Sequence, residues 1–396
     1  MNTWVNEIKK RTLSGEPPIL SGRSNKIDKV NFDDLIFIPA QLTATPIDYF
    51  KEKIETKTIL GKLSKNPVTL NIPIMNAAIS FGAISKEAKI ILAKASANVG
   101  SIANTGEGGM LPEERKNAEL LIVQYSTGRF GITEEVLKQA DMIEIKIGQG
   151  AKPGQGGLLK KEKITDEIAA IRQVSKDQDV HSPCSHLDIK NIKDLKKRVQ
   201  WLKKIINDRP IIIKLGAGNV EEDVKLAIKA NPDIIAIDGL SGGTGAAPEI
   251  MLNDFGLPII PAIIKARKVL DKLKAKQELI VGGGLNKGAD IAKALALGAD
   301  AVFLGFPLLI AMGCVYCQQC FKGFCPKGIA TQNPELRKKL NIEEATVSVS
   351  NYIKSCAEEV KMVAAAIGKK NVHQLNSNDL RALTSDMAKI ANVKLV

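Results

Sequence analysis

"PIIIKLGAGNVEEDVKLAIKANPDIIAIDG", residues 210 to 239, holds two apolar runs that each end in glycine, with the amphipathic pattern Val220 to Ala230 between them. An unbroken run rich in isoleucine marks a strand buried on both faces. Two such strands joined through a helix pair in parallel by a right-handed crossover. Working outward, the same alternation starts at residue 71. Strands are expected at "NIPIMNAAIS" (71 to 80), "VGSIANT" (99 to 105), "MIEIKIG" (142 to 148), "VHSPCS" (180 to 185), "LIVGGG" (279 to 284) and "AVFLGF" (301 to 306). Helical patterns fall at 85 to 98, 133 to 140, 189 to 207, 260 to 274 and 288 to 297, with Ser85 and Thr133 as N-caps. Eight strand-and-helix units of this kind predict an α/β fold, a (β/α)8 TIM barrel of about 250 residues, with a doubly wound sheet as the alternative.

The expected division is an N-terminal extension (1 to 70) packed on the barrel, the barrel itself (71 to 310), and a C-terminal part (311 to 396) that carries cysteines and then helices such as 345 to 367. Apolar runs such as Ala301 to Met312 are too short to span a bilayer, and the start of the chain is polar. This predicts a cytoplasmic protein with no membrane contact. Lys and Arg number 56 against 43 Asp and Glu, a net charge of +13 that favours acidic partners. Nucleic acid is not expected: the lysines are scattered and aromatic residues are only 4%, too few for base stacking.

Barrels of this class do their chemistry at the C-terminal ends of the strands. Those ends carry "NTGEGG" with Glu107, "GQGAKPGQGG" with Gln149 and Lys152, Lys214 at the end of "IIIK", "DGLSGGTGA" with Gly242 and Gly243, "GGGLNKG" with Gly283 and Gly284, and "LGFP" with Gly305. Glycines after the last two strands let backbone amides approach a phosphate. No Walker loop and no GxGxxG at a strand-helix junction is present. A lysine at a buried strand end needs an anion, supplied by a carboxylate or by a ligand. A flavin is a suitable ligand, because its reduced form carries negative charge at N1 and the C2 carbonyl. Barrel, phosphate loops and Lys214 together point to FMN.

"GCVYCQQCFKGFCP", residues 313 to 326, holds four of the six cysteines. Cys314, Cys317, Cys320 and Cys325-Pro326 form a closely spaced run ending in Cys-Pro, the ferredoxin style of iron-sulfur ligation, with a structural zinc as the alternative.

These motifs, with "SFGAIS" (80 to 85), "GRFGIT" (128 to 133), "SGGTGAAP" (241 to 248), "GGLNKGADI" (283 to 291) and "CPKGIATQ" (325 to 332), resemble the FMN-binding synthase domain of glutamate synthases in its short, stand-alone, archaeal-type form. The resemblance runs from about Phe32 to Gln332. It implies an oxidoreductase that aminates 2-oxoglutarate reductively to glutamate, using reduced FMN. Electrons would enter through a 3Fe-4S cluster on Cys314, Cys320 and Cys325, or a 4Fe-4S cluster with Cys317 added. Glu107, Lys152 and Arg172 would serve substrate and proton handling, and Ser80, Gln149, Lys214 and the glycines the flavin.

With no N-terminal cysteine nucleophile domain in evidence, ammonia is expected from solution or from a glutaminase partner. Electrons are expected from a ferredoxin or an electron-transfer subunit, and the protein is expected to be an oligomer. Two departures concern the substrate side: Leu158 stands where the family commonly has glutamine, and Ser182 to Ile189 replaces "SPPPHHDI". An N-methylglutamate synthase subunit using methylamine, or another FMN barrel such as a type 2 isopentenyl diphosphate isomerase, are the alternative readings. The cysteine run opposes the latter.

Overall fold

The computed structural model describes residues 3–12, 17–24, 26 and 30–396. Its centre is an eight-stranded, all-parallel sheet: β1 (Ile74–Asn76), β2 (Ile102–Asn104), β3 (Leu120–Tyr125), β4 (Met142–Lys146), β5 (Ile211–Gly216), β6 (Ile234–Asp238), β7 (Glu278–Gly282) and β8 (Ala301–Leu304). Neighbours pair in chain order and β8 pairs back onto β1, so the sheet curls into a barrel. At the seam β1 and β2 lie side by side, tied by the Asn71 amide to the Gly100 carbonyl (2.8 Å) and by the Ser101 hydroxyl to the Ile74 carbonyl. The (β/α)8 barrel is therefore the fold, as the alternation predicts.

One strand differs from the sequence reading. The third barrel strand is Leu120–Tyr125, which is not among the strands expected from the sequence. Residues 180 to 185 instead supply Val180–His181, a short antiparallel partner of Leu158–Leu159 outside the barrel. The physical reason is legible afterwards: "LLIVQY" is buried from Leu121 to Tyr125, whereas "VHSPCS" has neither length nor apolar content enough to be buried on both faces.

The helices that return the chain are α1 (Lys86–Asn98), α2 (Pro112–Asn117), α3 (Glu134–Lys138), α4 (Asp166–Arg172), α5 (Ile192–Ile205), α6 (Val220–Ala230), α7 (Ile259–Lys272), α8 (Gly288–Ala296), α9 (Phe306–Ala311) and α10 (Ile342–Ile367). Ser85 and Thr133 cap α1 and α3 through the amides of Ala88 and Val136, contacts worth about 1 kcal/mol each.

Two cores divide the work. Met75, Ile102, Ile122, Met142, Ile212, Ile234, Ile280 and Phe303 fill the barrel interior. The hairpin Thr58–Leu60 and Val68–Leu70 adds Leu60, Val68 and Leu70 to that same core. The other faces of the strands pack on the helices, and this outer core includes α10 residues such as Val349, Ile353 and Val360. With the strands' opposite ends filled by apolar side chains, only their C-terminal ends are available for chemistry. There the Ile19–Gly22 strand lies antiparallel on Thr244–Pro248 and covers one side of the mouth.

Candidate active site at the barrel mouth

A cavity of about 210 Å³ opens at the C-terminal ends of the strands. Glu107, Lys152, Arg172, Ser80, Gln149 and Lys214 all line it, as do Gly242, Gly243, Gly283, Gly284 and Gly305. The structure therefore brings together every residue that the sequence places in a flavin or substrate site. Arg172, whose position on a helix pattern also suited a surface charge, is only 4% exposed.

The lysines form the floor. Lys146 on β4 and Lys214 on β5 are register partners on adjacent strands, so both point into the barrel mouth. Each has its own carboxylate: Lys146 Nζ lies 2.8 Å from Glu107 Oε2, and Lys214 Nζ lies 3.0 Å from Asp238 Oδ2. Burial pushes the Glu107 carboxyl up, but the Lys146 charge, with the Ser182 and Ser126 hydroxyls near it, outweighs that and holds it at about 2. Its second oxygen, Oε1, is buried without a hydrogen bond of good geometry, so one face of the carboxylate remains for a ligand. Burial also disfavours the Lys214 ammonium, but Asp238, with Glu144 behind it, more than offsets this and raises its pKa.

Among the described residues, Lys152 makes no ion pair. Its Nζ donates to the Ala246 carbonyl (3.0 Å), and burial together with repulsion from Lys146 lowers its pKa to about 8. Arg172 ends α4, and its Nε (3.1 Å) and Nη2 donate to the Phe81 carbonyl. Burial brings its pKa down to about 10. The Glu107 charge favours both cations, but among the described residues neither makes an ion pair, and buried cations so weakly compensated are costly, so this side of the cavity suits an anion.

The motif glycines have separate causes. A Cβ on Gly82 or Gly108 would come within 3.1 Å or 2.9 Å of Arg172 Nη2, and one on Gly131 within 2.0 Å of the Ile171 carbonyl. Gly82, Gly108 and Gly131, one from each of "SFGAIS", "NTGEGG" and "GRFGIT", thus seat the end of α4 and aim Arg172 inward. Gly283 and Gly284 have φ of +92° and +91°, which only glycine adopts readily, and they make the β7 loop. Gly243 packs against Phe306 (a Cβ would lie 2.0 Å from its ring), whereas a Cβ on Gly305 would meet only Ala77, at 3.6 Å. At Gly305 the strand end therefore borders open space in the cavity.

Three residues of the site were missed by sequence reasoning: Lys146, Asp238 and His186. The signal for Lys146 was present, because "IEIKIG" and "IIIKLG" both end a buried strand in Lys-x-Gly. His186 Nε2 bonds the Lys146 carbonyl (2.8 Å), its ring stacks on Tyr125, and burial with the charge of Arg129 lowers its pKa to about 4, so it is neutral. Nothing in the sequence marks that packing role.

Cys314, Cys317, Cys320 and Cys325 line one small cavity of about 20 Å³ with Phe306, Leu309, Ile329 and Ala330. Cys314 Sγ accepts from the Tyr316 amide at 3.4 Å, and Tyr316, Gln318 and Gly323 turn the chain through left-handed conformations between the thiols. Among the described residues, no three Cys, His, Asp or Glu side chains converge on a single metal-ion position. A cluster, however, holds its thiolates apart by its own width, so it requires a shared cavity instead of a common point. The chemistry of the donor set, four thiols on one short segment with a backbone amide donating to Cys314 Sγ, is that of iron-sulfur ligation. Cys320, Phe306, Leu309 and Ala330 also line the barrel-mouth cavity, so the two sites share a wall.

The family model described as the conserved region in glutamate synthase matches residues 23–370. The chain belongs to the glutamate synthase family. The motif resemblance is borne out. This glutamate synthase family member is 37% identical over 409 residues to the glutamate synthase large subunit-like protein of Rhizobium meliloti, covering 98% of this chain and 92% of that one. It is likewise 37% identical over 398 residues to the archaeal glutamate synthase [NADPH] of Archaeoglobus fulgidus, covering 94% and 78%. Among solved structures, a mandelate oxidase variant with a monooxide FMN adduct superimposes with a TM-score of 0.55 at 16% identity, covering 93% of this chain and 96% of that one. A flavocytochrome b2 variant with sulfite bound does so with a TM-score of 0.60 at 17% identity, covering 95% and 83%. At these identities the likeness concerns the barrel fold. No helix among the described residues is long and apolar enough to cross a membrane.

Proposed function

We propose that this protein catalyses the reductive amination of 2-oxoglutarate to glutamate, with FMN in the barrel mouth and an iron-sulfur cluster on Cys314, Cys317, Cys320 and Cys325. The observation that carries the reading is the shared wall: a cavity with cations aimed inward and glycine at its strand ends adjoins, through Cys320, a cavity lined by four thiols. When bound, FMN would supply a hydride equivalent to the 2-imino acid formed from 2-oxoglutarate and ammonia, and the cluster would supply single electrons.

The chain's own groups divide the remaining work. Arg172 and Lys152 bind the carboxylates of the 2-oxo acid, the first as a planar fork and the second as a point charge. Glu107, held ionised by Lys146, attracts the ammonium ion and holds it by charge at Oε1. Lys214, kept charged by Asp238, is the fixed cation for the flavin's negative pole. Ser80 and Gln149 line the flavin side, and the backbone at Gly242, Gly283, Gly284 and Gly305 is the cradle for its phosphate.

Ammonia would reach this site from solution or from a glutaminase partner, and electrons from an acidic ferredoxin or an electron-transfer subunit. The surface supports such docking. Cys317 is exposed, and Val315 and Phe324 beside it are 56% and 74% exposed. Residues 306 to 334 contain Lys322 and Lys327 but no Asp or Glu. An oligomeric, cytoplasmic assembly made of extension, barrel and cluster segment remains the expected setting.

The test is the absorption spectrum of the anaerobically purified protein, followed by acid release and chromatography of the flavin. The account expects FMN bands with a broad iron-sulfur shoulder. Colourless protein, after flavin and iron have both been supplied, rejects the reading.

A further inference from the structure

Lys163 stands between the two cavities and has no part in the chemistry above. Its side chain lines the barrel-mouth cavity, and the residue is 8% exposed. Its Nζ donates to the carbonyls of Ala83 (3.3 Å) and Cys320 (3.4 Å), and its Cγ lies 3.4 Å from where a Cβ on Gly323 would sit. The stem thus supports the turn between Cys320 and Cys325, and the head faces the cysteine segment.

Lys146 and Lys214 have carboxylates at 2.8 Å and 3.0 Å, but no ion pair is found for Lys163 among the described residues. Arg172, the charged neighbour on its cavity side, is another cation. A buried ammonium requires an anion. The segment it faces, residues 306 to 334, has no Asp or Glu, so thiolate sulfur is the one source of negative charge that segment can offer.

We infer that Lys163 is the counter-charge of the thiolate-held cluster and sets its reduction potential. The inference rests on the iron-sulfur reading above. Reducing the cluster adds one electron and hence one negative charge. A fixed cation stabilises the reduced form more than the oxidised one and raises the potential. At an effective dielectric of about 20, a unit charge several ångströms away changes such an equilibrium by roughly tenfold or more. Lys163 is a positioning residue in this sense and makes no contact with substrate.

The test is an EPR-monitored potentiometric titration of the cluster in the wild-type holoprotein and in Lys163→Met, Lys163→Gln and Lys163→Arg. The expected result is a lower midpoint in Lys163→Met. The reduced-to-oxidised ratio at fixed potential should fall about tenfold, equivalent to about 59 mV for one electron, with a smaller shift at the flavin. Lys163→Arg should stay near wild type. An unchanged cluster midpoint in cluster-bearing Lys163→Met overturns the inference alone, as does an equal shift in Lys163→Arg. Absence of any cluster signal in the reconstituted wild type removes the iron-sulfur reading and this inference together. If Lys163→Met and Lys163→Gln fail to assemble a cluster while Lys163→Arg succeeds, the charge requirement is upheld through assembly. Failure of all three assigns the residue to packing and overturns the inference.

Discussion

Replacing Glu107 by Gln removes the anion from a buried pair whose two side chains are each 9% exposed. The neutral variant leaves Lys146 as an uncompensated ammonium beside Lys152, whose own charge Lys146 already disfavours. The cost follows from the carboxyl itself. Its pKa falls from 4.5 to about 2 in the fold, and at 1.36 kcal/mol per decade that is roughly 3 kcal/mol of stability from the ionised form. Breaking buried pairs costs about 3–5 kcal/mol by a different route, which agrees.

The folded pKa lies below the unfolded one, so this stability is fully present above about pH 4.5 and is lost as pH falls toward 2. Urea unfolding of the flavin-free protein, followed by circular dichroism, should show Glu107→Gln less stable by about 3 kcal/mol at pH 7. The gap to wild type should narrow steadily below pH 4.5. A gap under about 1 kcal/mol at pH 7 would refute the reasoning, because that is the size of an exposed ion pair. So would a gap that does not change with pH. A double-mutant cycle with Lys146→Met assigns the coupling to this pair if the combined loss is smaller than the sum.

Other outcomes follow from the same site. Arg172→Lys keeps the charge but loses the fork, and should raise KM for the 2-oxo acid by roughly 10-fold or more in steady-state assays, with a smaller effect on kcat. Lys152 has a free-enzyme pKa of about 8. It is charged below that value, so kcat/KM should decline as pH rises through 8, and Lys152→Arg should extend the plateau to higher pH. Lys214→Met leaves Asp238 facing the cavity without its cation. It should cost about 3–5 kcal/mol of stability by denaturant titration and lower the potential of bound flavin. Cys320→Ala should abolish the iron-sulfur shoulder while the far-ultraviolet circular dichroism of the barrel stays unchanged.

The barrel was legible because its evidence is repeated along the chain. Runs such as "IIIKLG" and "IIAIDG" are buried on both faces, and that burial is written into their consecutive apolar residues. The third strand escaped because "LLIVQY" follows a short helix without a strong turn signal, while proline and serine near residue 182 mimicked a strand end. Strand-end chemistry was legible for the same reason: Lys214, Gly283 and Gly305 sit where the fold presents ligands.

What pairs with what was not legible. Glu107 is separated from Lys146 by 39 residues and lies on the loop after β2, two strands away from β4, while Lys214 and Asp238 are 24 residues apart on the adjacent strands β5 and β6, so only the closed barrel brings each pair together. The role of Gly131 in "GRFGIT" could not be read either. It serves α4, a helix in a long insertion after β4, and a chain pattern gives no account of which backbone another helix will touch. Lys163 was invisible for a related reason, since its meaning lies in the lack of acidic residues in a segment more than a hundred positions away.

The most direct measurement is a single-turnover experiment. The holoprotein is reduced anaerobically by one equivalent of two electrons, excess reductant is removed, and 2-oxoglutarate with ammonium is added while the flavin band is followed and glutamate is quantified. Methylamine is run in parallel. The account predicts rapid reoxidation with about one glutamate formed per flavin, dependent on both substrates. Reduced flavin that persists with both 2-oxoglutarate and either amine present, or reoxidation that yields no amino acid product, would contradict it.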